Sequence, residues 1–271
     1  MGVVALAMVC TAVMTVQAVE MSGTTEIGVD LLPSLGTYVN LDATISGEAW
    51  TVVSDSDISV TPSFGGSEYL YAWYELDVAK FEVDVVASLA PFGLDTVDAY
   101  LTVNLFESAF PEEDSAAEIS SDVIVGAVFE EAADPYVGLY TLASCGDHWL
   151  SNTTTLSLAP LDVASEILAY LSFGPTALGE SGATVTAYGY ISTDIIPLDF
   201  SYAQLNVKLS VDEGSILNTV TYYGGDSFVD KLTITLDLGA AGISTQGSYS
   251  SASSTPFGFG IYVSFPWTLL E

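Results

Sequence analysis

Taken at every second position, residues 200–211 (FSYAQLNVKLSV) separate into two strings. One is Ala203, Leu205, Val207, Leu209 and Val211; the other is Phe200, Tyr202, Gln204, Asn206, Lys208 and Ser210. A period of two is the mark of a strand with one oily face and one wet face. The same reading applies to KFEVDVVASLA (80–90), DTVDAYLTVNLF (95–106) and KLTITLDL (231–238), and no charge falls on any of the four oily strings. Length sharpens the constraint. Soluble strands average about 5–6 residues, whereas tilted strands that cross a bilayer need roughly 9–11, and these segments run 12, 11, 12 and 8. A charge on a lipid-facing strand costs roughly 2–4 kcal/mol at the bilayer midplane, so charge-free strings of this length are expected to meet hydrocarbon rather than a second sheet.

Weaker copies of the pattern occupy 68–79, 135–144, 150–159, 163–173, 183–193, 215–223 and 257–267, and about fourteen to sixteen strands are expected, joined as a meander of hairpins. Several strands open on a proline followed by a small apolar cluster: APFGLDT (90–96), APLDVAS (159–165), IPLDFSY (196–202) and TPFGFGI (255–261). Proline suits the first position of a strand, where its missing N–H matters least. The acid-rich run around FESAFPEEDSAAEISSD breaks the rhythm and is expected to form a long exposed loop near 106–134. Nothing marks a domain boundary, so 19–271 reads as one domain.

Composition narrows the partners. Half of the 271 residues are hydrophobic, yet the formal net charge is −32, with three lysines (Lys80, Lys208, Lys231) and no arginine. Nucleic acid is excluded, because nothing is available to neutralise phosphates; anionic lipid headgroups are poor partners for the same reason. Cations should be attracted. Residues 1–18, an uncharged apolar run ending at Val16-Gln17-Ala18, read as a secretory signal peptide cut after about Ala18. Cleavage would leave Cys145 as the sole cysteine, so no internal disulfide is expected.

The pattern over residues 24–267 resembles a porin-like outer-membrane β-barrel. Such barrels commonly finish on a strand with an aromatic end, and FGFGIYVSFPW (257–267) has Phe259, Ile261, Val263, Phe265 and Trp267 on one string, followed by Thr268-Leu269-Leu270-Glu271. The resemblance implies an all-β, antiparallel up-and-down transmembrane barrel. The scarcity of basic residues would suit an outer envelope without lipopolysaccharide.

No sequence motif carries a reaction, and an enzyme is not expected. G-x-S-x-G, H-E-x-x-H, P-loop and G-x-G-x-x-G motifs are missing from the chain. His148, in SCGDHWL (144–150), has only Cys145 and Asp147 nearby; one histidine and one cysteine do not complete a zinc shell, and the spacing fits a tight turn. Glu112, Glu113, Asp114 and Glu118 are weak candidates for Ca²⁺, lacking the spacing of a dedicated calcium loop. Asp30, Glu75, Asp77, Glu82, Asp84, Asp98 and Asp237 fall on wet strings and would line a lumen beside Tyr71, Tyr100 and Tyr202. Acidic rings favour cation passage.

The expectation is therefore a passive, cation-preferring diffusion channel or a structural barrel of the outer envelope, with lipid around its oily face and cations in its lumen. Assembly into a homo-oligomer stays open. Two other classes compete: a secreted or surface-layer structural protein built as a β-sandwich or stacked array, and a carbohydrate-binding or carbohydrate-active β-sandwich that uses paired carboxylates and aromatic rings.

Overall fold

The computed structural model describes residues 20–110, 117–129, 133–158, 160–179, 182–196, 198–225 and 227–270. The expected signal peptide and three of the calcium candidates, Glu112, Glu113 and Asp114, lie outside them. Sixteen strands follow one another: β1 (Glu20–Leu32), β2 (Gly36–Ser46), β3 (Trp50–Thr61), β4 (Gly65–Leu76), β5 (Ala79–Leu89), β6 (Phe92–Phe110), β7 (Ala117–Phe129), β8 (Ala133–Cys145), β9 (His148–Leu158), β10 (Leu161–Ala177), β11 (Thr184–Ile196), β12 (Leu198–Val211), β13 (Gly214–Tyr223), β14 (Ser227–Asp237), β15 (Gly242–Ser250) and β16 (Phe257–Leu270). Each pairs antiparallel with its chain neighbours, and β1 pairs with β16 from Glu20↔Leu270 to Leu32↔Phe259, which closes the sheet into a barrel. Closure leaves no unpaired edge, as a sheet immersed in lipid requires.

Exposure tells inside from outside. On β12 Leu205 is 54% exposed, whereas its neighbour Asn206 is 2% exposed. The oily strings elsewhere are equally open, with Phe81, Leu101, Ile191 and Ile234 all exposed. The buried side chains are mostly polar: Glu82, Ser151, Ser165, Ser192, Asn206 and Thr221, joined among the described residues by only Ala87 and Tyr262. This is a soluble protein's distribution turned inside out. It overturns both sandwich alternatives, in which the oily strings would be packed between two sheets.

The acidic stretch departs from expectation. Residues 106–110 continue β6, residues 117–129 form β7 and β8 starts at Ala133, so strand occupies the described part of the expected loop, while residues 111–116 and 130–132 lie outside the described residues. On β7 the outward string is Ile119, Ser121, Val123, Val125 and Ala127, with Val123 and Val125 paired with Leu139 and Val137 of β8; the acids Glu118 and Asp122 fall on the inward string, so the charge of this stretch is compatible with an apolar outward face. No connection between consecutive strands is longer than six residues.

Candidate functional site

Sixteen strands about 4.8 Å apart and tilted about 40° enclose a cylinder of roughly 16 Å radius measured at the backbone. Side chains cannot fill that width, and barrels of this strand number leave an aqueous channel. Six residues that leave the rim and return reach at most about 10 Å. The wall of the lumen, built from the inward strings, is therefore the candidate site.

That wall is unevenly charged. From β1 to β6 the inward string presents Glu20, Glu26, Asp30, Asp42, Asp55, Asp57, Glu75, Glu82, Asp84, Asp98 and Glu107, against one base, Lys80, and from β7 to β11 it adds Glu118, Asp122, Asp134, Asp162, Glu166 and Asp194 with no base. From β12 to β16 it presents two lysines, Lys208 and Lys231, and two acids at strand ends, Asp199 and Asp237. Four register pairs set carboxylates directly opposite one another: Asp42↔Asp55, Asp84↔Asp98, Glu166↔Asp194 and Asp194↔Asp199. Like charges placed so are unfavourable, and neutral donors offset part of that cost. Asn40 Nδ2 donates to Asp57 at 3.0 Å, Tyr262 Oη to Asp30 at 3.1 Å, and Tyr69 Oη to Asp84. Tyr136 Oη lies 3.0 and 3.1 Å from the two oxygens of Asp98.

Glu82 differs from the rest. It is buried and accepts from Lys80 Nζ at 2.7 Å, from Thr102 Oγ1 at 2.8 Å and from Tyr71 Oη. Lys80 Nζ also sits 4.8 Å from the centre of the Trp73 ring. With its donors satisfied from β4, β5 and β6, Glu82 joins three strands rather than offering a free carboxylate to a passing ion.

Of the sequence-predicted residues, Glu82, Asp84 and Asp98 come together on β5 and β6, with Glu75 across from Lys80 at the end of β4. Asp30 lies close to the opposite rim. Asp237 ends β14, where its Oδ1 accepts from Gly239 N at 2.8 Å and shapes the following turn. Asp77 is corrected: it lies in the two-residue Asp77-Val78 turn, not on a wet string. Glu118 is exposed on β7, and the other three calcium candidates are outside the described residues. Among the described residues no group of three or more metal-ligating side chains forms. The SCGDHWL stretch is a hairpin with Gly146-Asp147 at its tip; Gly146 has φ +57°, and His148 Nδ1 accepts from Ser172 N at 3.1 Å.

Glu26, Asp42, Asp55 and Asp57 escaped the sequence reading because β1–β3 alternate poorly. Ser54 and Ser56 occupy outward positions of β3, where an oily residue would have revealed the strand. Two acids also stand on the outward string, against expectation. Glu68 accepts from Ser54 Oγ at 2.6 Å and from Ser56 Oγ, and Asp230 accepts from Asn218 Nδ2 at 2.7 Å. Both are the fourth residue of a strand that starts at the same rim, clear of the middle of the apolar band.

No family model matches the chain, and no curated protein matches it. Solved structures do. CdiB from Acinetobacter baumannii superposes with a TM-score of 0.59 at 8% identity, over 93% of this chain; the chain spans 60% of that longer protein. Two variants of the porin of Rhodopseudomonas blastica, each with three substitutions, superpose with TM-scores of 0.51 and 0.52 at 8% and 9% identity. The first of these alignments covers 92% of this chain and all of the porin. At such identities the likeness is one of fold, and in fold the chain is a closed, sixteen-stranded antiparallel β-barrel similar to that of the porin.

Proposed function

We propose that the protein is an outer-membrane diffusion channel, open by default and favouring cations over anions. The observation that carries the reading is the wall of β1–β6, where carboxylates outnumber the single lysine on the inward string. An apolar outward band of barrel-spanning height supports insertion in lipid, with hydrocarbon against residues such as Leu101, Leu205 and Ile234. Porin-fold neighbours support a channel in general. The carboxylates raise the local concentration of cations and deplete anions along one side of the bore, and no step of bond making is involved.

The test is a planar bilayer separating two KCl solutions of different concentration. The expected reversal potential has the sign of K⁺ permeation. Zero or anion-selective potential would remove the cation preference, and an inserted protein without conductance would leave only a structural barrel.

A further inference from the structure

The inward strings of β9–β11 carry a second kind of surface beside their carboxylates Asp162, Glu166 and Asp194. Trp149, Tyr170 and Tyr190 are register partners on β9, β10 and β11, so they form one row around the wall. Their rings are in contact, with centroids 5.6 Å apart for Trp149–Tyr170 at an interplanar angle of 22°, and 4.9 Å apart for Tyr170–Tyr190. Tyr188, one step along β11, adds a fourth ring 6.2 Å from Tyr170. All four are half-buried, leaving part of each ring to the lumen.

The row continues into amides and hydroxyls. Tyr190 is paired with Gln204 and Tyr188 with Asn206. Asn206 Oδ1 accepts from Gln204 Nε2 at 3.1 Å and from Thr219 Oγ1 at 2.7 Å, while its Nδ2, buried beside the rings, has no partner. Tyrosines of the acidic wall give their hydroxyls to carboxylates; among the described residues those of Tyr170, Tyr188 and Tyr190 make no hydrogen bond to protein. No ionised side chain stands in the row Trp149–Tyr170–Tyr190–Gln204.

We propose that this strip is a binding site for uncharged carbohydrate in transit, with pyranose rings lying on the aromatic row and their hydroxyls reaching the tyrosine, Gln204 and Asn206 groups. A pyranose has an apolar C–H face that gains by leaving water for an aromatic surface, and a rim of hydroxyls that must be re-bonded when it does. The strip supplies both parts in adjacent positions. The row itself carries no ionised group, and the nearest inward carboxylates on its own strands, Glu166 and Asp194, stand four residues along from Tyr170 and Tyr190. The proposal deepens the channel reading and rests on it only for the route by which the sugar arrives.

The probe is cellotriose, a flat, uncharged chain of three pyranoses; sorbitol, a hexitol without a ring face, is the control, and choline tests an organic cation. Binding is read from tryptophan fluorescence of the full-length protein in detergent, which needs no conduction, with Trp149→Phe identifying the reporter. Cellotriose is expected to bind in the millimolar range and at least tenfold more tightly than sorbitol. Tyr170→Ala is expected to weaken it at least tenfold, and Tyr223→Ala to leave it unchanged. Tyr190→Leu, which keeps an apolar side chain in the row, serves if Tyr170→Ala does not fold. Equal response to cellotriose and sorbitol, or a response to choline alone, overturns the proposal. A conducting channel without cellotriose binding sinks the site and spares the channel; cellotriose binding without conductance does the reverse.

Discussion

At the scale of single residues, the wall is arranged so that few carboxylates are buried without a donor. Glu82 shows what that arrangement contributes. Its side chain is 8% exposed and that of Lys80 is 32% exposed, so the ion pair is only partly screened by water. Lys80→Met is expected to destabilise the barrel by about 1–3 kcal/mol, less than a fully buried pair would lose because the lysine keeps some solvent. Lys80→Met combined with Glu82→Gln should recover most of the loss, since the uncompensated charge is then gone. Urea titration of the refolded protein in lipid bilayers measures both; equal stability of Lys80→Met and the parent would show that Tyr71 and Thr102 suffice. The same reasoning applies on the outward face. Ser54→Ala with Ser56→Ala removes both serine hydroxyl donors to Glu68 and should cost about 1–3 kcal/mol, with Glu68→Gln in the same background restoring part of it.

At the scale of elements, glycines let inward tyrosines bridge strands that are not neighbours. Tyr38 of β2 and Tyr262 of β16 meet over Gly28 of β1, their centroids 5.6 Å apart, and a Cβ on Gly28 would fall 2.3 Å from Tyr38 and 2.6 Å from Tyr262. Tyr136 of β8 reaches Asp98 of β6 across Gly126 of β7, where an added Cβ would lie 2.8 Å from the Tyr136 ring. Gly28→Ala therefore pushes apart two rings that span the seam where the barrel closes. The folded form of this variant is expected to lose its compact gel migration at a lower temperature than the parent, and an unchanged transition would mean that the rings shift at no cost. None of this was legible in the sequence, because it depends on residues far apart in the chain meeting over a position without a side chain. The strands themselves were far more legible. β5, β6, β12 and β14 fall on the four segments whose oily strings carry no charge, since lipid on one side and water on the other impose period two directly. β15 (GISTQGSYS) and β3 were not, because Thr245 and Gly247 in one and Ser54 and Ser56 in the other dilute the outward string. The acid-bearing wall was half visible: Glu82, Asp84 and Asp98 lie on clean strands, while Asp42, Asp55 and Asp57 lie on ones that alternate poorly.

At the scale of the whole molecule, the net charge of −32 does not act as a uniform bath. Register spreads the inward carboxylates over β1–β11 and sets Lys208 and Lys231 on β12 and β14, so the field is strongest along the β1–β11 side of a bore about 16 Å in radius at the backbone. Its reach is set by salt. The screening length is about 10 Å at 0.1 M ionic strength and about 3 Å at 1 M, so at the lower value the acidic wall influences most of the lumen and at the higher value only the layer beside it. Cation selectivity is therefore expected to fall steeply as both sides of a planar bilayer are raised from 0.1 M to 1 M KCl at a fixed concentration ratio, approaching the mobility ratio of the free ions. Asp84→Asn with Asp98→Asn removes two carboxylates that face each other, neither of which pairs with Lys80, and should lower selectivity at 0.1 M while leaving the value at 1 M almost unchanged. Selectivity that persisted undiminished at 1 M would place the discriminating groups at a constriction narrower than the strand-borne side chains create, and the wide-bore description of the lumen would have to give way.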